Sequence, residues 1–368
     1  MKLSTTTRAA VATVAVAGTL ALSACGASNE SSASSSSGGS SSAPKLNGTL
    51  SGAGSSAQQA AMQGWTAGFS GQQPGVTVNY DPVGSGGGRK QFLAGGVDFA
   101  GSDAALTDAE VTSAGTACGT AGYFELPDYI SAIAVVYNLP SVKNLQLSPS
   151  TLAKIFAGTV TTWNDPAIAA DNSGASLPST KITPVHRADN SGTTANFTDY
   201  LSKAAGDVWT TPSSGDWPAG KPGEAANQTS GMVAAVKAGE GAIGYADESQ
   251  AAGLGVAKVK VGSSWVAPSA KGAAALVSSS PTITGRSEND LAIQLNRTTT
   301  SAGEYPVVLV SYHIGCLQPK KSGDVLKGFM NYVISSDGQQ AAAKAAGSAP
   351  ISDAQRTKSQ KVVDAIKG

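Results

Sequence analysis

Two periods of hydrophobic and polar positions alternate along the chain after residue 45. Short runs of β-branched and other apolar residues predict strands, and segments whose apolar residues recur every three or four positions predict helices. Such alternation indicates an α/β architecture with parallel strands, in which ligands bind beyond the C-terminal ends of the strands. In the first third of the chain, strand, helix, strand, helix and strand are predicted at residues 46–51, 58–69, 76–80, 89–93 and 97–100.

The same pattern extends over much of the remaining chain. Further strands are predicted at residues 132–138, 182–185, 241–245 and 305–312. Further helices are predicted at residues 152–156, after a turn at 162–166, after Ser191, at 232–238, 323–335 and 338–346, and at the polar C-terminus. Residues 206–231 are rich in Gly, Pro and Ser and predict a long surface excursion, whereas residues 246–304 give no clear pattern.

The N-terminus has the pattern of an export signal. After a positively charged start, residues 9–22 form an apolar stretch that is too short for a typical membrane-spanning helix. It ends in the tetrapeptide LSAC, which resembles the lipobox of bacterial lipoproteins, so we expect removal of residues 1–24 and a lipid on Cys25. An ordinary signal peptide with a chance cysteine is the alternative. Residues 25–45 are mostly Ser, Ala and Gly and predict a flexible tether, so the body is expected to be extracytoplasmic and lipid-anchored to the outer face of the cytoplasmic membrane.

Composition narrows the classes of function. The chain has 368 residues, of which 41% are hydrophobic, which is enough for two domains with their own cores. The formal net charge is zero, so the charge balance gives no sign of nucleic acid as a partner, and any anion must be bound by a local arrangement of groups. Two histidines and three cysteines without a C-x-x-C pair argue against a structural zinc site, and we expect neither a metal nor a cofactor.

One stretch in the middle of the chain has the features of an oxyanion site. Arg187 follows a predicted strand, and four residues later the turn Ser191-Gly192-Thr193 opens a predicted helix. The N–H groups of this turn have no partner within the helix and lie at the positive end of its dipole. Two hydroxyls and a guanidinium converge there, so a small, oxygen-rich, doubly charged anion would satisfy all of these groups.

Three further segments place glycine and serine where a predicted strand ends. The first brings Ser56 and the Ala57 N–H to the expected helix cap, the second contains Ser85 among four glycines, and the third adds the carboxylate of Asp103. Glycine-rich turns let the backbone approach a ligand and form nests of N–H groups. Each loop alone is more typical of a structural cap or turn, but their combination with one arginine and one aspartate favours a shared binding site.

These motifs resemble those of the phosphate-binding proteins of bacterial high-affinity phosphate ABC importers, the Pst system. The resemblance spans residue 46 to the C-terminus and is carried by Gly52-Ala53-Gly54, Val83-Gly84-Ser85-Gly86-Gly87, Val97-Asp98-Phe99 with Ser102-Asp103, Arg187-Ala188-Asp189 with Ser191-Gly192-Thr193, Gly241-Ala242-Ile243-Gly244-Tyr245 and Tyr305-Pro306. It implies a two-lobed periplasmic-binding-protein fold of type II, the Venus flytrap, with a mainly parallel sheet flanked by helices in each lobe. It also implies a monomeric, non-enzymatic receptor that binds inorganic phosphate and delivers it to a membrane-embedded ABC permease with cytoplasmic ATPase subunits.

The resemblance also implies a ligand set and a division into lobes. Carried over by motif, the phosphate ligands are Ser56, the Ala57 N–H, Ser85, Asp103, Arg187, Ser191, Gly192 and Thr193. Lobe I is expected at residues 46–126 plus 303–368 and lobe II at 127–302, with a hinge motion that closes them over the ligand. The chain departs from the family pattern at Ser56-Ala57, where Thr-Phe is common, and at Asn190, where Gly is common. The first departure keeps a hydroxyl and an N–H, and Asn tolerates a left-handed backbone at the second.

The aspartate gives a physical basis for selectivity. Phosphate near neutral pH still carries a proton and can donate a hydrogen bond, whereas sulfate cannot, so an ionised Asp103 accepts from the first and repels the second. Arg187 is expected to offset part of the ligand charge through a forked contact and to pair with Asp189.

Two competing functions remain open on the sequence alone. One is a receptor for another tetrahedral oxyanion such as sulfate or molybdate, against which Asp103 argues. The other is a secreted phosphatase with His186 as a base beside Ser191, although the chain has no G-x-S-x-G elbow. Residues 215–222 imitate a P-loop until Pro replaces its last hydroxyl residue, and they are expected to form a surface loop.

Two cysteines remain once Cys25 is assigned to lipidation. An oxidising exported setting favours a disulfide between Cys118 and Cys316, and two separate buried thiols are the alternative.

Overall fold

The computed structural model of this protein describes residues 45–368. The predicted export signal, the lipid on Cys25 and the tether up to residue 44 lie outside these residues. The strands are β1 (Asn47–Gly54), β2 (Gly75–Asp81), β3 (Phe99–Ser102), β4 (Tyr123–Tyr137), β5 (Gln146–Leu147), β6 (Thr183–Arg187), β7 (Glu224–Ala226), β8 (Ala242–Asp247), β9 (Gly255–Val256), β10 (Lys258–Val261), β11 (Ser264–Val266) and β12 (Val308–Cys316). The helices are α1 (Gln59–Gln72), α2 (Ser85–Leu93), α3 (Asp108–Cys118), α4 (Pro149–Ala157), α5 (Pro166–Asp171), α6 (Gly192–Ala204), α7 (Gln228–Ala238), α8 (Ala270–Ser279), α9 (Gly323–Ile334), α10 (Ser336–Ala346) and α11 (Asp353–Asp364).

The main sheet has the strand order β2-β1-β3-β12-β4-β8-β6-β7. Strand β1 pairs in parallel with β2 and β3 at one end, and β6 pairs in parallel with β7 and β8 at the other. Between these groups, β12 and β4 run antiparallel to each other and to their outer neighbours. The predicted alternation of parallel strands and helices is therefore present at both ends of the sheet, and two long return strands join the ends.

Strand β4 belongs to both groups of strands. All 15 of its residues are buried. Its segment 123–132 pairs with β12, and its segment 133–137 pairs with β8. The prediction of a strand at 132–138 captured only its second half, because Glu125, Pro127 and Asp128 interrupt the apolar pattern of the first half. The register against β12 shifts near Pro127, a residue without an N–H to donate.

Helix starts follow local capping chemistry. The Asp165 side chain accepts from the Ala167 N–H, with Pro166 in the first turn of α5, as the turn predicted at 162–166 requires. Helix α3 was not predicted because its pattern has a single buried residue, Ala114. It begins instead with a capping box between Thr107 and Glu110.

Two weakly patterned regions contain more structure than their composition indicates. The predicted surface excursion at 206–231 is wrong in part, since Trp209 is fully buried and β7 and the start of α7 also lie there. Trp209 packs against Trp217 with tilted rings whose centroids are 5.5 Å apart, and this contact attaches the loop to the core. The region 246–304 contains β9, β10, β11 and α8.

A disulfide joins Cys118 at the end of α3 to Cys316 at the end of β12, 198 positions apart. This confirms the predicted bridge and excludes the two separate thiols. Within residues 45–368, no helix has both the length and the apolar character needed to span a membrane.

Candidate anion-binding site

Loops from the two ends of the main sheet meet here, although three strands, β12, β4 and β8, lie between β3 and β6 in the sheet. Ser56 follows β1, Asp103 follows β3 and Arg187 ends β6, while Ser85 and Gly192 open helices α2 and α6. The predicted ligand side chains are at most 3% exposed, and they are Ser56, Ser85, Asp103, Arg187, Ser191 and Thr193. Buried polar groups of this density require partners. The loops predicted from sequence are therefore brought together.

The carboxylate of Asp103 is held by hydroxyls from different parts of the chain. Thr193 Oγ1 donates to Oδ2 at 3.1 Å, and Ser311 Oγ donates to Oδ1 at 2.6 Å. The Asp103 N–H donates to Ser85 Oγ at 3.1 Å. Helices α2 and α6, strand β12 and the loop after β3 thus converge on one acidic group.

Burial raises the pKa of Asp103 above its ordinary value, because the charged form loses its hydration. Hydrogen bonds from Ser311 and Ser55, the charge of Arg187 and a hydrogen bond from Thr193 act in the opposite direction. A hydrogen-bond donor on a ligand would likewise favour the ionised form. Asp103 is therefore suited to accept a hydrogen bond from a ligand that carries a proton.

Arg187 is fixed by a carboxylate on its own loop. Its Nε donates to Asp189 Oδ1 at 2.7 Å, and Nη2 contacts Oδ2, which confirms the expected pairing. Its Nη1 donates to Thr229 Oγ1 at 3.4 Å. A guanidinium has five N–H donors, so these three bonds to described residues leave two for a ligand.

Asp189 remains ionised beside this arginine. Burial alone would raise its pKa, but the hydrogen bonds and charge of Arg187 outweigh that effect and lower the pKa below its ordinary value. The Gln228 N–H also donates to Asp189 Oδ1 at 2.8 Å. Gln228 has a left-handed φ of 59°, an uncommon conformation for a residue with a side chain. The start of α7 is thus shaped to support the arginine.

Ser56 connects β1 to the start of α7. Its Oγ lies 3.0 Å from Thr229 Oγ1 and accepts from the Thr229 N–H at 3.0 Å. The expected cap position needs a correction, because Ser55 Oγ, not Ser56, accepts from the N–H groups of Ala57 and Gln58 at 3.1 and 3.2 Å. The side chain of Ser56 is directed to Thr229 instead.

The start of α6 packs directly against the first set of loops. A Cβ added at Gly192 would lie 2.6 Å from Ser85 Oγ and 2.7 Å from the Asp103 Cβ, so only glycine permits this approach. Ser191 Oγ accepts from the Thr194 N–H at 3.3 Å, which caps the helix. The start of α6, whose first N–H groups have no partner within the helix, consequently lies next to Asp103 and Ser85.

Sequence reasoning missed three residues that complete the site. Ser311 interrupts the apolar run of β12, and Thr229 follows a polar turn at the start of α7, so both gave a weak signal. The hydroxyl of Tyr245 accepts from the Arg187 N–H at 3.3 Å and lies 2.8 Å from Thr194 Oγ1. Only the three-dimensional arrangement identifies Tyr245 as a support for the loop.

The residues considered for enzymatic chemistry have other contacts. The His186 ring stacks on Trp217, with centroids 4.9 Å apart, and its Nδ1 lies 2.9 Å from the Arg187 carbonyl oxygen. Within the described part of the chain, no group of three His, Cys, Asp or Glu side chains is arranged to hold a metal ion. At the loops described above, the buried acidic group is Asp103 and the buried guanidinium is Arg187.

Comparisons with known proteins give the same picture. A family model described as a PBP superfamily domain matches residues 32–337. Phosphate-binding protein PstS3 of Mycobacterium bovis strain BCG is 36% identical over 364 residues, covering 96% of this chain and 97% of that protein. Phosphate-binding protein PstS2 of the same organism is 36% identical over 337 residues, covering 88% and 90%. A solved high-affinity periplasmic phosphate-binding protein with bound phosphate has a TM-score of 0.70 at 23% identity, covering 85% and 93%, and shows the shared two-lobed fold.

Proposed function

The chain belongs to the PBP superfamily and, within it, to the PstS-type phosphate-binding proteins, and from this we propose that it binds inorganic phosphate and delivers it to an ABC importer. The observation that carries the proposal is the buried pair of opposite groups, Asp103 and Arg187, with the start of α6 beside them. The family consists of substrate-binding proteins, so the role is capture and delivery of the ligand.

The proposed ligand set is the one expected from sequence, namely Ser56, the Ala57 N–H, Ser85, Asp103, Arg187, Ser191, Gly192 and Thr193. The two remaining donors of Arg187 and the first turn of α6 supply positive potential for the anion. Asp103 accepts a hydrogen bond through the proton that phosphate retains. The Ala57 N–H donates to Ser55 Oγ at 3.1 Å in the described arrangement, so it would have to share or exchange that bond to contact the anion.

Closure of two lobes over the ligand is part of the proposal. Taking lobe I as residues 46–126 plus 303–368 and lobe II as 127–302, the bond from Thr193 to Asp103 and the contact of Ser56 with Thr229 both cross the cleft. Such contacts would require the two lobes to be together, which supports the proposal that a hinge motion closes them over the ligand. The permease is proposed to recognise that form.

The location follows from the family and the N-terminal pattern. PstS-type proteins act outside the cytoplasm, and we extend this to a lipid anchor on Cys25 with residues 25–45 as a tether. The partners proposed for the loaded protein are a membrane-embedded permease and its cytoplasmic ATPase subunits.

Equilibrium binding measured by calorimetry on the purified protein tests the proposal. The titrants are inorganic phosphate, sulfate, molybdate and a phosphate monoester. We expect tight binding of phosphate alone. Tighter binding of sulfate or molybdate, or release of phosphate from the monoester, would refute it.

A further inference from the structure

Asn190 lies in a slot between two glycines, next to the loop that contains Arg187. A Cβ built on Gly86, at the start of α2, would overlap the Asn190 Oδ1 atom. A Cβ built on Gly215, in the loop that follows α6, would lie 2.6 Å from the same atom. The side chain of Asn190 therefore fits only because both neighbours lack a side chain.

The backbone is held on both sides of this side chain. The Gly86 N–H donates to the Asn190 carbonyl oxygen at 3.1 Å. The N–H of the next residue, Ser191, donates to the Gly215 carbonyl oxygen at 2.9 Å. Residue 190 is thus bound to the α2 start through its own carbonyl and to the Gly215 loop through the next peptide.

Close packing, and not a hydrogen bond to Oδ1, keeps the Asn190 side chain in this slot. Its Oδ1 is buried and has no hydrogen-bond partner among residues 45–368. Gly86 lies within helix α2 and has none of the positive φ values that the backbone of some other glycines adopts. Alanine is a much better helix former than glycine, so helix formation does not explain a glycine at position 86. The contact with Asn190 does.

We propose that Asn190 is the closing latch of the anion site. Its side chain enters the slot between Gly86 and Gly215 when α2 and the start of α6 come together, and it slows their separation. The inference rests on the proposed phosphate-binding function and adds a residue that controls how long the anion stays bound. Asn190 acts through the closed state and is a positioning residue, because its side chain packs on the glycines.

The test is a rescue experiment on the full mature protein with inorganic phosphate. Gly86→Ala places a methyl group in the slot, and we expect phosphate affinity to fall by about 10- to 100-fold, the range typical of overpacking in a close contact. Asn190→Gly in the same chain removes the obstructing side chain and should restore affinity to that of Asn190→Gly alone. Asn190→Ala should rescue less, because its Cβ would still lie 2.7 Å from the new methyl group.

Stability and kinetics separate a latch from a folding defect. Thermal unfolding without phosphate should show Gly86→Ala at least as stable as the unsubstituted protein. The matched control Gly71→Ala changes a helical glycine where a Cβ meets nothing within 4 Å, and it should bind phosphate normally. In stopped-flow release of phosphate, Asn190→Ala and Asn190→Gly should both dissociate about ten times faster, as expected when a tight packing contact is lost.

The possible results separate a failure of the latch from a failure of the proposed phosphate binding. Normal phosphate affinity of Gly86→Ala, failure of Asn190→Gly to rescue it, or unchanged release rates of the two Asn190 variants would overturn the latch while leaving phosphate binding in place. Failure of the unsubstituted protein to bind phosphate would overturn the proposed function, and the latch with it.

Discussion

Replacement of Asp103 by Asn tests how the site distinguishes phosphate from sulfate. The carboxylate is 3% exposed and is already bonded by the hydroxyls of Thr193 and Ser311. Asn has the same shape, and the hydroxyls can rotate to accept from its amide, so the fold should be kept. The carboxylate can only accept a hydrogen bond, so it needs a proton on the ligand. The amide of the variant can donate one, so it does not.

The size of the effect follows from the burial. Phosphate should lose a charge-assisted hydrogen bond worth about 1.5–3 kcal/mol. Sulfate should gain about 1–3 kcal/mol, because an unpaired buried carboxylate no longer faces its oxygens. The preference for phosphate should therefore narrow by about 2.5–6 kcal/mol, which is roughly 60-fold or more in the ratio of the dissociation constants.

Calorimetric titration with each anion, and with phosphate in the presence of sulfate, measures this ratio. Asp189→Asn is the matched control, since it also removes one carboxylate charge, but from the residue that pairs with Arg187. That control should weaken both anions to a similar extent and leave their ratio near the original. If Asp103→Asn leaves the ratio unchanged, or Asp189→Asn narrows it equally, Asp103 does not select phosphate by accepting a hydrogen bond from it.

Four further predictions follow from the same geometry. Arg187→Ala should weaken phosphate binding by at least about 2 kcal/mol in calorimetry, since a buried charge-assisted pair is lost, and near-original affinity would remove the residue from the site. Gly192→Ala should abolish tight binding without lowering the melting temperature of the ligand-free protein, because its Cβ would lie 2.6 Å from Ser85 Oγ in the described arrangement; unchanged affinity would show that binding does not need this close approach. Sulfate binding should strengthen as pH falls through the raised pKa of Asp103, because the protonated carboxyl can donate to an anion that stays ionised; a flat profile, as expected for Asp103→Asn, would contradict this. Paired serine substitutions at Cys118 and Cys316 should lower the free energy of unfolding by about 2–5 kcal/mol in urea titrations and leave the phosphate affinity unchanged.

The sequence predicts which loops come together better than it predicts the whole fold. The loops that carry Ser85, Asp103 and Arg187 have local signatures. Glycine and hydroxyl residues at strand ends favour a binding site when they occur together with an arginine and an aspartate. Partners such as Thr229 and Tyr245 come from strands and helices that are distant in sequence, and no local pattern connects them to Arg187.

The elements that escaped prediction share a physical cause. The first half of β4 contains Glu125 and Asp128, which are buried but compensated by distant partners, so their charges concealed a core strand. Asp128 pairs with the His313 ring at 2.5 Å, and Leu106 donates its N–H to Glu125 at 2.9 Å. A buried acidic residue whose partner lies elsewhere in the sequence cannot be distinguished from an exposed acidic residue by its position in a hydrophobic pattern.

The continuity of β4 limits how this protein can be recombined with its relatives. Residues 123–132 of the strand pair with β12, and residues 133–137 pair with β8. A chimera that takes the two partner strands from different parents must fit both of them to one buried strand. A fragment that lacks either partner would expose a bare apolar edge prone to aggregation. Exchange of ligand specificity between relatives is therefore more practicable by transplanting the loops that carry the proposed ligands than by swapping halves.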